Sequence, residues 1–194
     1  EIEGESPLKE DLELIVKQAE RCKNIVGGLL NFARKNQVRH QEVDLKKMLE
    51  LSISSIIAPG GIHLEIDDRL NNSWAELDQE QMIQVISNLV KNAVEAMEEG
   101  DIRVIAEDTE DQVTITVSDT GKGINEEELD KIFEPFYTTK GIGMGTGLGL
   151  ATAYGIVKMH KGQIEVQSNA DPLKGDTGTS FIIQVPRHPK ISNV

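Results

Sequence analysis

The sequence predicts an α+β fold, a mixed and largely antiparallel sheet with helices layered on one face. Three observations carry this. Segments such as "VTITVSD" and "TSFIIQVP" alternate apolar and polar residues with a period of two. Apolar stripes of helical period stand between them. The two kinds of segment follow one another without a βαβ rhythm, which argues against a doubly wound parallel sheet.

Residues 8–34 come first. Leu8, Leu12, Ile15, Ala19, Cys22, Val26, Leu29 and Ala33 are spaced alternately four and three apart, the a/d seam of a helical bundle or coiled coil, a pattern that also reads as an ordinary core helix or a linker. Ser6 and Pro7 suit its N-cap and first turn. Leu14, Ile25 and Leu30 widen the stripe, and a helix to about residue 36 spans on the order of 40 Å. The polar stretch 34–44, "RKNQVRHQEVD", reads as a boundary. The chain therefore divides into a bundle-helix segment, 1–40, and a main domain, 41–194.

Asp44 caps a second helix running to about Ile57 and closed by "APGG". Residues 62–67 and 73–77 alternate like the arms of a hairpin. Asp78 opens a long helix with an apolar face from Met82 to Met97. "IRVIAED" and "VTITVSD" form antiparallel strands about a "TEDQ" turn. Residues 125–132 suit a short helix and 147–160 a longer one. "GQIEVQS" and "TSFIIQVP" finish as strands.

The chain has 194 residues, a net charge of −13, 38% hydrophobic and 4% aromatic residues, and one cysteine. The core must therefore rest on Ile, Val and Leu. The acidity excludes nucleic acid and anionic membrane as general partners. It also means that a phosphate ligand needs a local cation or a metal. Lone Cys22 excludes an internal disulfide. No apolar run approaches the ~18 residues that span a bilayer.

Three stretches bear chemistry. In "GMGTGLGLATAYG", residues 143–155, glycines alternate and then give way to a helix. Such a run lets backbone approach a ligand closely, and the helix start favours phosphate. It lacks the G-x-x-x-x-G-K-[ST] pattern of a P-loop and follows no strand, so neither common phosphate template fits. It also reads as a flexible surface loop. In "NLVKNAVEAM", Asn88 and Asn92 stand four apart on one helix face, offset from the core stripe. Two stacked amides suit a hydrated Mg²⁺, which takes few protein ligands. They also read as solvated helix residues. In "VTITVSDTGKGI", Asp119 continues the inward phase of Val113, Ile115 and Val117. A buried carboxylate must find donors, and the exocyclic amine of a base is one. Asp-Thr-Gly is also a good turn.

Taken together, "NLVKNAVEAM", "DTGKGI", "FEPFYTTK" and "GTGLGLATAYGIVKMHKG" resemble, in order and separation, the N, first glycine, F and second glycine boxes of sensor histidine kinases. "GDTGTSFIIQVP" is similar to the last glycine-containing segment of that family's catalytic domain. The resemblance covers about residues 44–187, and the first helix resembles the second helix of the family's dimerisation hairpin.

The resemblance implies a Bergerat-type ATP-binding sandwich of the GHKL superfamily with ATP and Mg²⁺ as cofactors. Asn92 is then the metal ligand and Asn88 its neighbour near the phosphates. Asp119 reads the adenine amine, with Gly121, Gly123 and Ile124 passing close to the nucleotide and Thr179 beside the adenine. Phe133 and Phe136 anchor a lid that continues through Tyr137, Thr138 and Thr139 to Lys140, the cation brought to the phosphates. Gly145, Thr146, Gly147, Leu148, Gly149 and Leu150 wrap the triphosphate. Asn88, Asn92 and Lys140 make up the catalytic set.

Gyrase-type and chaperone ATPases of the same superfamily place a Glu four residues before the metal Asn. Here that position is Asn88, and an amide is no general base near pH 7. The implied activity is transfer of the γ-phosphoryl group to a histidine, for onward transfer to the receiver domain of a response regulator. His40, His63, His160 and His188 are followed by Gln, Leu, Lys and Pro, so none has the acceptor context of the family. The acceptor helix is then expected outside this chain, in a parent protein that is cytoplasmic or membrane-attached. The alternatives are a nucleotide-binding regulatory module, or a Ser/Thr kinase of the anti-sigma-factor type. Self-association through residues 8–34 is also expected.

Overall fold

The computed structural model describes residues 11, 12, 15, 16, 19, 38–140 and 145–188. Of the first helix, Asp11, Leu12, Ile15, Val16 and Ala19 are helical and exposed. Leu8, Leu14, Cys22, Ile25, Val26, Leu29, Leu30 and Ala33 lie outside the described residues, and so does the seam they define.

From residue 38 the elements run β1 (Gln41–Asp44), α1 (Leu45–Ser54), β2 (Ile62–Arg69), β3 (Trp74–Leu77), α2 (Gln79–Val94), β4 (Gly100–Asp108), β5 (Gln112–Asp119), α3 (Glu126–Leu129), α4 (Gly149–Met159), β6 (Gln163–Asn169) and β7 (Gly178–Pro186). Five strands form one sheet in the order β2-β4-β5-β7-β6, and β1 and β3 form a separate antiparallel pair. Among the described strands only β2 and β4 run parallel. The mixed α+β sheet under a helical layer is the expected class.

Period-two patterning sets which face of each strand is inward, and the register stacks the inward residues into rows. Ile66, Val104, Val117, Phe181 and Val166 lie side by side across all five strands. Met82, Val85, Ile86, Leu89, Val90 and Ala93 of α2 cover this face, together with Ala153, Ile156 and Val157 of α4. These side chains are buried, and each contributes roughly 1.5–3 kcal/mol if aliphatic and fully buried.

The caps expected at Asp44 and Asp78 are formed, whereas Ser6 and Pro7 lie outside the described residues. Asp44 accepts from the backbone N–H groups of Lys46 and Lys47. Asp78 accepts from Gln81 and, through Oδ2, from Arg39 at 3.1 Å. Helix α1 ends at Ser54 rather than Ile57, where Ser55 caps it.

The expected hairpin of residues 62–77 does not form. β2 pairs with β4, whereas β3 turns away and pairs with β1, so Asp44 faces Trp74. The cause is a buried ion pair between Arg187 and Asp108, with side chains 2% and 3% exposed. Asp108 accepts from the backbone N–H groups of Asn71 at 2.7 Å and Asn72 at 3.0 Å. The Arg187 guanidinium donates to the carbonyls of Asn72 and Trp74, and Glu76 donates to the Arg187 carbonyl. This cluster holds the 71–74 loop at the far end of β4. Burial pushes the Asp108 carboxyl up, but the Asn71 and Asn72 donors and the Arg187 charge outweigh it and hold the carboxyl below its ordinary range.

Candidate nucleotide site

The sheet row next to the Val104–Val117 row changes character partway across. It begins with Leu64 and Ile102, then continues as Asp119, Thr179 and Ser168. An apolar face thus ends in three adjacent polar side chains at the C-terminal end of β5.

Asp119 is 8% exposed. Its Oδ1 accepts from the backbone N–H of Gly121 at 2.9 Å and of Thr179 at 3.3 Å. Burial raises its carboxyl above the ordinary value, and the two donors offset only part of that rise. Ser168 was not singled out in the sequence, although it continues the inward phase of Ile164 and Val166, the clue that singled out Asp119. Its hydroxyl donates to the Gly178 carbonyl at 2.9 Å and accepts from the N–H of Ile124 at 2.8 Å. It also lies 3.0 Å from Thr179 Oγ1. With the Ser168 proton on Gly178, Thr179 is the donor of that third bond. Ile124, Thr179 and Asp119 therefore form one hydrogen-bonded corner.

Gly123 has φ +72°, and a Cβ there would sit 2.1 Å from the Asn169 carbonyl oxygen. Only glycine permits this close pass of the chain beside Asp119.

Asn88 and Asn92 lie half-buried on α2. The Asn88 amide donates to the Gly149 carbonyl at 3.2 Å, which ties α2 to the first turn of α4. The glycine segment and the two amides are thus on one side of the same site. Gly147 sits at φ +67° against the backbone of Phe136, itself at φ +70°. Phe136 donates its N–H to the Gly147 carbonyl at 2.9 Å. Gly145–Leu150 are half-buried, and Thr146 Oγ1 accepts from Leu148. Gly143 and Met144 lie outside the described residues.

The two phenylalanines differ. The Phe133 ring packs 5.2 Å from Tyr154 and 6.4 Å from Phe181, between centroids. Phe136 leaves 51% of its surface exposed, so its anchoring is through backbone and not through its ring. Tyr137 reaches Glu128 weakly at 3.4 Å, Thr138 Oγ1 accepts from Lys140 at 3.2 Å, and Thr139 is exposed. The Lys140 ammonium pairs with Glu95.

Among the described residues no three His, Cys, Asp or Glu side chains gather to hold a metal. The donors present are the amide oxygens of Asn88 and Asn92. They fit a hydrated Mg²⁺ that arrives with phosphate, and not a cation held by a protein cage. Among the histidines, His160 is 2% exposed. Its Nε2 accepts from the Asp78 N–H at 3.1 Å and its Nδ1 lies 2.9 Å from the Ile156 carbonyl. With both nitrogens engaged it is no nucleophile. His63 lies in β2, as the alternation predicts.

A buried acid at a strand end, two half-buried amides on the covering helix and a glycine segment leading into the next helix thus meet in one helix-on-sheet domain. Residues 77–189 match the family described as histidine kinase-, DNA gyrase B- and HSP90-like ATPase, and the chain belongs to that family. Within it, its relatives are sensor histidine kinases. The chain is 35% identical over 175 residues to the sensor histidine kinase ZraS of Escherichia coli, covering 88% of this chain and 37% of ZraS. It is 34% identical over 181 residues to sporulation kinase A of Bacillus subtilis, covering 90% of this chain and 28% of that protein. The chain thus spans roughly a third of these curated relatives. The nucleotide-free catalytic domain of histidine kinase ThkA superposes with a TM-score of 0.66 at 31% identity, covering 78% of this chain and 98% of that one. ThkA solved with the response regulator TrrA superposes with a TM-score of 0.75 at 26% identity, covering 98% of this chain and 54% of that chain. The fold is thus the GHKL sandwich that the sequence motifs implied.

Proposed function

We propose that the chain binds Mg·ATP and transfers its γ-phosphoryl group to a histidine on a neighbouring helical segment, for onward transfer to a response-regulator aspartate. The observation that carries this is the Asp119–Thr179–Ser168 row, at the end of a sheet whose covering helix presents Asn88 and Asn92. Both donors to Asp119 meet Oδ1, so this reading assigns Oδ2 to accept from the adenine amine. Asn92 holds the metal, Asn88 stands beside it, and residues 145–150 wrap the phosphates. Lys140, at the end of the 133–140 lid, offsets their charge. Mg²⁺ held by Asn92 would supply charge neutralisation at the phosphates.

The protein's part is positioning. An imidazole nitrogen attacks the γ-phosphorus in line, the bond to the β,γ-bridging oxygen breaks, and ADP leaves. Asn88 accepts no proton, so water at that position is not activated.

Residues 1–40 serve in this reading as the second helix of a dimerisation hairpin, and 41–194 as the catalytic domain. The 54% and 63% exposure of Leu12 and Ile15 suits pairing of two copies. The partner receiver domain follows by analogy with ThkA bound to TrrA. A cytoplasmic location follows in this reading from the kinase family; among the described residues no helix is long and apolar enough to cross a membrane.

The test supplies a histidine-bearing helix, in cis or in trans, with labelled ATP and Mg²⁺. Acid-labile, base-stable label on that helix is expected, and Asn92→Ala should reduce it at least tenfold, a loss on the order of 1.4 kcal/mol. Nucleotide binding without any such label points to a regulatory module, and label on Ser or Thr of an added protein points to the anti-sigma type.

A further inference from the structure

Asn88, Asn92 and Glu95 are spaced four and three apart along α2, so they share one face, and neighbours at such spacing have Cβ atoms roughly 5–6 Å apart. Glu95 is the C-cap of this helix. A carboxylate there opposes the negative end of the helix dipole, so the position favours a cation partner. That partner is Lys140, forty-five residues away in sequence. Its stem lies along Gly145, where an added Cβ would meet Lys140 Cδ at 3.4 Å and Thr138 Oγ1 at 3.1 Å. The lysine is thus fixed at both ends, by the glycine segment along its carbons and by Glu95 at its ammonium. The pair is partly solvated, with side chains 31% and 51% exposed, so it can rearrange when a ligand arrives. An ammonium has three donors, and one bond to Glu95 leaves two for phosphate oxygens.

We infer that Glu95 is a positioning residue: it holds the Lys140 ammonium one helical turn from Asn92, where the terminal phosphate of the nucleotide is met. This rests on the nucleotide reading above and adds to it a reason for an acidic residue at the phosphate end of an already acidic protein. Glu95 costs some repulsion toward phosphate. It returns a cation held in place rather than one searching from a mobile side chain.

The experiment measures Mg²⁺-dependent binding of ADP and of a non-hydrolysable ATP analogue to the full chain by calorimetry. The proteins are the unaltered chain, Glu95→Gln, Glu95→Asp, Lys140→Ala and the Glu95→Gln/Lys140→Ala double variant. Glu95→Gln and Lys140→Ala are each expected to weaken the triphosphate by roughly three- to tenfold, the net worth of one ordinary hydrogen bond at a partly solvated site. The double variant should bind no worse than the weaker single one. ADP should change less than the triphosphate, and Glu95→Asp should recover part of the loss. Glu95 is exposed, so these variants are expected to fold, and equal melting temperatures without nucleotide verify it. Tighter or unchanged triphosphate binding in Glu95→Gln, or fully additive losses, would overturn the positioning role while leaving the nucleotide site intact. An unaltered chain that binds neither nucleotide would overturn the nucleotide reading, and this inference with it.

Discussion

Asp119 shows what a single buried carboxyl costs a fold. Its carboxyl is buried and shifted upward, so the folded state binds its proton more tightly than the unfolded chain does. The cost of ionising it in the fold is therefore fully present above its raised folded-state value. It disappears as pH falls below the ordinary carboxyl value of 3.8. Asp119→Asn should raise the stability of the nucleotide-free protein at pH 7 by roughly 0.5–1.5 kcal/mol. It should also weaken adenine binding, because a carboxamide presents an N–H where an acceptor is needed. Thermal melts across pH test the first half: the gap between variant and parent should close toward acid. An Asn variant that melts lower at pH 7 would contradict the buried, costly carboxylate. Asp119 and Ser168 also mark the limit of a sequence reading at this scale. Both show as polar residues in an inward phase, but only the register between β5, β7 and β6 makes them neighbours. Arg187 gave no such sign, because a lone arginine after a proline looks like a strand's solvated end.

Among the elements, those with strong local signals formed where expected. The caps at Asp44 and Asp78, the α2 stripe and the four strands from β4 to β7 are local patterns, and local patterns fix them. Pairing is not local. Alternation in 62–67 and 73–77 fixes their faces but cannot name their partners. The Asp108–Arg187 cluster, formed by residues distant in sequence, sends β3 to β1. Asp108→Asn should accordingly cost roughly 3 kcal/mol, since it leaves the Arg187 charge buried without its partner. Amide exchange should accelerate in β1 and β3 before it does in β5.

A second prediction concerns the junction of α2 and α4. Burial is the main cause that keeps the His160 imidazole below its ordinary value of 6.5, and nearby His40 adds to it. The unfolded chain therefore takes up a proton before the fold does. Stability from this group is complete above that value and falls as pH drops below it. The buried ring accepts the Asp78 N–H, so its protonation also removes a bond at the α2 cap. Denaturant midpoints at about pH 7.5 and pH 5.5 should fall more for the parent than for His160→Gln.

At the scale of the whole molecule, the question is what a site of amides does with ATP in a chain of net charge −13. A ligand that binds only the fold stabilises it by mass action, about 2.7 kcal/mol at a hundredfold excess over Kd. For a domain of this size that is a rise of roughly 5–10 °C in melting temperature. The rise should require Mg²⁺, because ATP alone meets an acidic protein whose Lys140 ammonium is already shared with Glu95. Binding of that kind need not be followed by hydrolysis. Asn88 offers no base, because a carboxamide has no useful basicity near pH 7, and its nitrogen donates to the Gly149 carbonyl. Stabilised protein should thus release phosphate slowly in the absence of an acceptor. Asn88→Glu places a carboxylate four residues before Asn92, where water can be deprotonated. It should speed phosphate release while slowing transfer to an added histidine helix. Fast release by the parent protein would show that water reaches the γ-phosphorus unaided. The division of labour between a site that holds a phosphoryl group and an acceptor supplied from elsewhere would then be lost.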